Sequence, residues 1–253
     1  MIFADTHTHL YLEEFDADRE QVMRQCEDAG VLHLFLPNID ISSINRMLEC
    51  CTKFPQCRPM MGLHPSEVDK GFEETLAEME AQMKDVPIAG IGEIGMDLYW
   101  DRTHIAEQQK AFHTQLVWAV RRHLPAIIHC RKAFAETWDI LKSFREPLKG
   151  IFHCFAGDTA QARKVIEKGF LIGVGGTVTY KKSGIQEVVR DIPLEHIVLE
   201  TDSPFLPPVP FRGRRNDSHH IPLIAQRVAE IKNIPLETVA EVTTCNAIRL
   251  FGM

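Results

Sequence analysis

Short apolar runs and amphipathic stretches alternate along the whole chain of 253 residues. A continuous apolar run predicts a strand that is buried on both faces, and apolar residues three or four positions apart predict a helix with one buried face. The predicted strands cover 2–4, 32–36, 58–63, 88–92, 126–128, 150–152, 170–173 and 197–201. The predicted helices cover 22–29, 42–53, 72–84, 105–123, 134–141, 159–168, 185–192, 221–232 and 236–251.

The order of these elements predicts the fold class. Each of the strands precedes a helix, which requires crossover connections and therefore favours a parallel sheet. Eight strand–helix units in about 250 residues match the size of a (β/α)8 TIM barrel. A doubly wound open sheet is the alternative. No linker, low-complexity tract or block of charge divides the chain, so we expect an α/β protein with a single domain over 1–253.

Polar residues follow the predicted strands at points where a barrel would bring them together. The chemistry of such barrels lies at the carboxyl ends of the strands. Metal-ligand types dominate the residues at those ends, which are His7, His9, Asn38, His64, Glu93, His129, His153, Thr177 and Asp202. The remaining histidines fall on predicted helices, in loops or within strands, and we assign them no role.

His7 and His9 lie two residues apart after the first strand, so their imidazoles point to the same side. Two alternating histidines alone are more often surface residues than ligands, but the ligand types downstream favour a metal site. Four imidazoles and two carboxylates exceed what one tetrahedral ion needs. They suit two divalent cations, with Glu93 as the bridging carboxylate and Asp202 as the proton acceptor.

Such a centre predicts hydrolysis. Two dications and two carboxylates leave about two net positive charges, which attract an anionic substrate. A divalent ion lowers the pKa of water from 15.7 to roughly 7 and stabilises charge that develops on a phosphoester or carbonyl oxygen. Imidazole ligands favour zinc, manganese or iron, and carboxylate ligands also admit magnesium. A metal-binding scaffold without activity is the non-enzymatic alternative.

Net charge, apolar run length and cysteine content limit the class of protein and the compartment that we expect. The net charge of −7 argues against a non-specific nucleic-acid coat protein, since phosphate neutralisation needs an excess of Lys and Arg. No apolar run reaches membrane-spanning length and no basic region precedes an apolar leader, so we expect a cytoplasmic monomer without membrane contact. The seven cysteines show no paired spacing or disulfide-rich pattern, and we expect free thiols that are buried or half-buried at Cys50, Cys51, Cys57, Cys130 and Cys154.

The segment 90–95 formally fits the G-x-G-x-x-G pattern of dinucleotide-binding folds. Such a site needs a helix that begins at the glycines and faces pyrophosphate. Residues 96–100 show no helical pattern, and Glu93 inside the loop would repel phosphate. We therefore favour the metal interpretation over a nicotinamide cofactor.

Seven motifs stand in order along nearly the whole chain. They are Asp5-Thr6-His7-Thr8-His9-Leu10, Gly62-Leu63-His64-Pro65, Gly92-Glu93-Ile94-Gly95-Met96-Asp97, His129-Cys130-Arg131, His153-Cys154-Phe155-Ala156-Gly157, Ile172-Gly173-Val174-Gly175-Gly176 and Glu200-Thr201-Asp202-Ser203-Pro204. The ordered set resembles the TatD family of metal-dependent hydrolases in the amidohydrolase superfamily.

The resemblance implies a (β/α)8 barrel with two divalent ions. One ion would be bound by His7, His9 and Asp202, and the other by His129 and His153. Glu93 would bridge the two ions. Asp202 would also accept the proton, and His64 would approach the substrate. The resemblance further implies DNase activity, often by trimming from the 3′ end. A hydrolase of small phosphoesters or of amide or lactone bonds is the alternative.

Basic and aromatic residues near the expected mouth are candidates for contact with DNA. They are Arg212, Arg214 and Arg215 after the last strand, Lys181 and Lys182 after the seventh, and Tyr99 and Trp100 after Glu93. Aromatic rings can stack on bases, although such residues are as often surface charge or loop packing. We select Arg215, together with His64, as the predicted substrate contacts.

The chain departs from the family pattern at two places. Leu10 is followed by Tyr11 where many relatives carry Asp or Asn, and Asp217-Ser218-His219 stands where relatives often show Glu-Pro. We expect both departures to lie at the substrate rim without touching the ligands, and therefore to affect specificity more than hydrolysis.

Overall fold

The protein is a parallel barrel, seen in a computed structural model that describes residues 1–100 and 102–253. Within these residues eight parallel strands pair in chain order, as predicted. The strands are β1 Phe3–Asp5, β2 Val31–Pro37, β3 Cys57–Met61, β4 Gly90–Asp97, β5 Ala126–Arg131, β6 Gly150–Phe152, β7 Phe170–Val174 and β8 Ile197–Leu199. The helices are α1 Arg19–Asp28, α2 Ile44–Lys53, α3 Phe72–Gln82, α4 Ile105–Arg122, α5 Phe134–Leu141, α6 Thr159–Glu167, α7 Ile185–Asp191, α8 Ile221–Lys232 and α9 Leu236–Phe251.

The first and last strands close the barrel through the segments that follow them. The Thr6 amide donates to the Leu199 carbonyl over 3.0 Å, and Thr8 forms a parallel bridge with Ser203. The residues after β1 and after β8 therefore form a seam, and the predicted ligands of those two segments lie beside it.

Helix α9 closes one end of the barrel. Its Thr244 and Asn246 side chains donate to backbone carbonyls at the starts of β1 and β8. Leu250 packs into the apolar interior of the barrel, and Phe251 stacks on Phe35 with ring centroids 3.7 Å apart. The amino-terminal end of the barrel is therefore covered, and the carboxyl ends of the strands form the open mouth.

Two strands continue further than the sequence pattern predicts. β4 runs to Asp97, so Glu93 lies within this strand and not at its end. β5 runs to Arg131, so His129 lies within it as well. Gly95 makes the continuation possible, because it has a φ of 140° and an added Cβ would lie 2.0 Å from the His129 carbonyl oxygen.

Two expectations about the rest of the chain can be compared with the structure. All seven cysteines are free, as predicted. In residues 1–100 and 102–253, no helix has both the length and the apolar character needed to cross a membrane.

Candidate metal centre and active site

Polar side chains from six strands or the segments after them converge at the mouth. Each of the four predicted histidine ligands places a ring nitrogen within 3.8 Å of a Glu93 oxygen. The Asp202 carboxylate lies beside three of the same rings. The structure thus brings together all six predicted metal ligands, His7, His9, Glu93, His129, His153 and Asp202.

The first donor group consists of His7, His9, Glu93 and Asp202. Nε2 of His7 lies 3.3 Å from Nε2 of His9 and 3.1 Å from Oε2 of Glu93. Oδ1 of Asp202 lies 3.8 Å from Nε2 of His7 and 3.6 Å from Nε2 of His9. Ligands held about 2.1 Å from a tetrahedral ion would be about 3.4 Å apart. The spacing of these donors therefore fits one divalent cation.

The second donor group surrounds the other oxygen of Glu93. Oε1 lies 2.9 Å from Nδ1 of His129, 3.8 Å from Nε2 of His153 and 3.5 Å from Nε2 of His64. The donors of His64, Glu93 and His129 are close enough together to hold an ion. The two carboxylate oxygens of Glu93 therefore face different histidines.

His64 can be assigned a proton position from its neighbour Ser66. The Ser66 amide, which can only donate, lies 3.1 Å from Nδ1 of His64, and the Ser66 hydroxyl lies 2.7 Å from the same nitrogen. We therefore place the proton on Nε2, which faces Glu93. An N–H at that position suits a substrate oxygen better than a cation. The predicted substrate contact of His64 stays a prediction that this hydrogen bond supports.

Tyr11 fixes the orientation of His9. The Tyr11 hydroxyl donates to the Pro37 carbonyl over 2.8 Å, and it therefore accepts from Nδ1–H of His9 at 3.1 Å. With its proton on Nδ1, His9 keeps the Nε2 lone pair for a cation. The expectation that this departure lies at the rim and touches no ligand is wrong. Tyr11 is buried in the turn that follows His9, which the Leu12 amide closes by donating to the His9 carbonyl over 3.0 Å.

Ser218, in the second departure, supports the same segment. Its hydroxyl donates to the Thr8 hydroxyl over 3.0 Å, and the Ser203 hydroxyl lies 2.7 Å from Thr8. All three residues are fully buried. Ser218 therefore holds the loop after β8 against the residue between the two histidines, and the expectation that it lies at the substrate rim is wrong.

Asp97 is a functional residue to which the sequence reasoning gave no role. Its Oδ2 lies 2.9 Å from Nε2 of His129, and its Oδ1 accepts from the amides of Tyr99 and Trp100 at 2.8 and 3.3 Å. By accepting Nε2–H, the carboxylate leaves the Nδ1 lone pair of His129 directed towards Glu93. A signal was present, because Asp97 follows Glu93 by four residues on β4 and so lies on the same face.

Glu200 is a second residue that the sequence reasoning left without a role. It is fully buried, accepts from the Cys154 amide at 2.5 Å, and places Oε1 3.0 Å from Nδ1 of His153. The ring is not aligned for a regular hydrogen bond with it. Burial lowers the pKa of His153, but the charges of Glu200, Asp202 and Glu93 outweigh burial and raise this pKa to about 10. A divalent cation would compete with that proton for the site.

Four carboxylates, and not two, surround the candidate centre. Burial alone would raise the pKa of Glu93, but the neighbouring histidines lower it well below its usual range. The pKa of Asp97 and that of Asp202 are also lowered, because contacts with histidines outweigh the effect of burial. Asp97 and Glu200 thus add two carboxylates to the two that the sequence analysis counted.

Arg215, a predicted substrate contact, binds carboxylates of its own chain. Its guanidinium donates to both oxygens of Asp18, over 2.8 and 2.7 Å, and to Asp217 over 3.0 Å. It also lies over the Phe15 ring, 4.4 Å from the centroid. These contacts hold the loop after β8 against the start of α1. A contact with substrate stays a prediction for this residue.

The other basic residues of the predicted rim are exposed to solvent. Arg212 stacks over the Tyr180 ring at 4.6 Å. A cavity of about 580 Å³ reaches Cys154, the residue after His153. Its lining includes Tyr180, Lys181, Lys182 and Arg212. We call it the basic cavity and define it by these four residues.

The chain can be compared with known proteins. The family model described as TatD related DNase matches residues 4–252. The metal-dependent hydrolase YabD of Bacillus subtilis is 36% identical over 253 residues, with 99% of each chain covered. The 3′-5′ ssDNA/RNA exonuclease TatD of Shigella flexneri is 29% identical, with 98% of each chain covered. The crystal structure of YjjV, a TatD homologue from Escherichia coli, superposes with a TM-score of 0.92 at 29% identity, covering 99% of this chain and 98% of that one. The chain therefore belongs to the TatD family of metal-dependent hydrolases.

Proposed function

We propose that this hydrolase cleaves phosphodiester bonds of single-stranded DNA from the 3′ end, with two divalent cations. The observation that carries the proposal is the orientation of Glu93, whose Oε2 faces His7 and His9 while its Oε1 faces His129 and His153. The name of the Shigella flexneri relative, a 3′-5′ ssDNA/RNA exonuclease, supports a polymeric substrate.

The donor groups divide the ligands between the two cations. His7, His9 and Asp202 would hold one, His129 and His153 the other, and Glu93 would bridge them. When bound, zinc, manganese, magnesium or iron ions would make water a nucleophile near neutral pH and stabilise negative charge on the phosphoryl group. The ligand types admit each of these metals.

Asp202 is placed to take the proton of the attacking water. Its side chain is 14% exposed, compared with 4% for Glu93 and none for His7, so it is the carboxylate that faces the open mouth. Its amide donates to the His7 carbonyl over 2.9 Å, which fixes its backbone. Nε2–H of His64 would donate to a phosphoryl oxygen from the opposite side of Glu93.

The basic cavity would bind phosphates of the nucleotides that precede the cleaved bond. Because four carboxylates surround the two dications, the centre itself provides little attraction for a polyanion. Lys181, Lys182 and Arg212 supply positive charge next to it. We therefore expect cleavage of DNA to weaken as the salt concentration rises.

The test is the degradation of end-labelled single-stranded DNA in the presence of Mg²⁺ or Mn²⁺. The variant Asp202→Asn is compared with wild type and with Asp85→Asn, which removes the same charge from an exposed residue. We expect wild type and Asp85→Asn to release a 3′ label as a mononucleotide and to shorten 5′-labelled DNA stepwise. Asp202→Asn should leave both substrates intact.

Two results would contradict the proposal. Intact DNA under every metal would remove the nuclease assignment, and cleavage of bis(p-nitrophenyl) phosphate by the same preparation would then favour the small-phosphoester alternative. Equal degradation by wild type and Asp202→Asn would place the chemistry outside the donor groups described above.

A further inference from the structure

A second cavity, of about 450 Å³, opens beside the metal centre, on the other side of the segment 153–157 from the basic cavity. His153, a member of the second donor group, forms part of its wall. Tyr99 and Arg131 lie in its wall as well. We call it the Arg131 cavity, lined by Tyr99, Arg131, Phe134, Phe152, His153 and Phe155. Its volume falls in the range of about 300–1,000 Å³ that is usual for small-ligand sites.

The accessible aromatic surface of the Arg131 cavity comes from Tyr99, which is 52% exposed, and from the half-buried Phe134, since Phe152 and Phe155 are 1% and 5% exposed. Phe134, Phe152 and Phe155 contribute to its lining, and successive ring centroids in this group are 6.4 Å apart. Such a surface favours a flat, apolar group over a solvated phosphate. A nucleobase has that shape, and aromatic rings stack on any base with little dependence on sequence.

The outer edge of the cavity carries an unpaired positive charge. The Arg131 guanidinium lies 4.2 Å from the Tyr99 ring and 5.1 Å from the Trp100 ring. In the part of the chain that the structure describes, no carboxylate pairs with Arg131. Tyr99 and Trp100 are 52% and 71% exposed, although large aromatic side chains are normally covered. Together they present stacking surface and charge to a ligand.

Asp97 ties this edge to the metal centre. One of its oxygens accepts from the amides of Tyr99 and Trp100, while the other contacts His129. The aromatic edge therefore has a fixed position relative to the ligand His129. A ligand that stacks one group on Tyr99 can therefore place another group against the donor groups.

We infer that the Arg131 cavity binds the terminal nucleotide of a single-stranded substrate, with its base on the aromatic surface and its phosphate between Arg131 and the donor groups. The inference rests on the proposed function and names the part of the substrate that is released. The segment 153–157 separates this cavity from the basic cavity, so one receives the end of the strand and the other the preceding phosphates. A base-paired terminus does not fit, because its base is already stacked and paired.

Kinetics with two substrates test the inference. Arg131→Gln and Tyr99→Leu are compared with Arg190→Gln, a control at the exposed far end of α7. The substrates are a single-stranded oligonucleotide and the same strand ending in an abasic nucleotide, which keeps the phosphodiester but lacks the base. For both cavity variants we expect KM on the oligonucleotide to rise at least tenfold, and for Tyr99→Leu we expect the ratio of kcat/KM between the oligonucleotide and the abasic strand to fall at least fivefold. The control should keep the wild-type ratio.

Binding without catalysis gives an independent measurement. Saturation-transfer NMR records contact between 2′-deoxyadenosine 5′-monophosphate, which contains no phosphodiester to cleave, and protein loaded with Mg²⁺. We expect a saturable signal with wild type and Arg190→Gln, and its loss with Arg131→Gln and Tyr99→Leu. Equal signals in all four proteins, no signal in wild type, or an unchanged kinetic ratio would overturn the inference. If wild type cleaves neither substrate, the proposed function fails while the binding result still decides whether the cavity takes a nucleotide.

Discussion

Replacing Asp97 with asparagine should weaken metal binding at the second donor group by ten- to a hundredfold. Asparagine keeps the oxygen that accepts from the Tyr99 and Trp100 amides, so the loop after β4 is retained. Its NH2 group replaces the oxygen that lies 2.9 Å from Nε2 of His129. Two N–H groups cannot face each other there, so the imidazole proton moves to Nδ1 and the lone pair near Glu93 is lost. Changes to such supporting groups cost 10–100-fold in affinity, or about 1.4–2.8 kcal/mol.

Isothermal titration of Mn²⁺ or Zn²⁺ into metal-free protein measures this effect. The control Asp85→Asn changes the net charge equally at an exposed site. We expect two binding events in wild type and in the control. Asp97→Asn should also show two events, one with wild-type affinity and one that is ten- to a hundredfold weaker. Equal affinities in all three proteins would refute the argument from the position of the proton. Equal weakening in both variants would show that net charge alone is responsible.

Three further changes test other contacts. Tyr11→Phe leaves the buried Nδ1–H of His9 unpaired, so urea denaturation of metal-free protein should show a loss of about 1–3 kcal/mol; an unchanged midpoint would contradict the bond. Arg215→Gln breaks a partly exposed pair with Asp18, so thermal denaturation should show a loss of at most about 1 kcal/mol that shrinks in high salt. Burial, and then the neighbouring histidine, lowers the pKa of His220 from 6.5 to about 4. Its stabilising contribution is therefore present above pH 6.5 and lost as the pH falls towards 4, and urea midpoints should fall more between pH 7 and pH 5 in wild type than in His220→Gln.

The order of the elements could be predicted because burial leaves a strong mark on a parallel barrel. Strands covered on both faces appear as continuous apolar runs, and the surrounding helices show one apolar face. The ranges predicted for the last two helices, 221–232 and 236–251, coincide with α8 and α9. The six candidate ligands were found for the same reason, since polar residues stand out where apolar strands end.

The supporting residues of the site could not be found in this way. The predicted strand 88–92 stops at Gly92, whereas β4 continues to Asp97, so Asp97 lay outside the predicted sheet. Glu200 follows a buried run directly and gives no separate signal. The role of Tyr11 depends on the carbonyl of Pro37, which lies 26 residues away along the chain. The contacts of Glu200 and Tyr11 follow from tertiary geometry and leave no local pattern.

The seam between β1 and β8 makes the candidate centre depend on the complete fold. His7 and His9 are neighbours in the sequence, whereas Asp202 is far from them along the chain and joins them only through the hydrogen bond from its amide to the His7 carbonyl. An unfolded chain therefore offers a cation two adjacent imidazoles without this carboxylate. Discrimination between metals requires the closed barrel, and unfolded protein would bind copper or zinc through the imidazole pair alone.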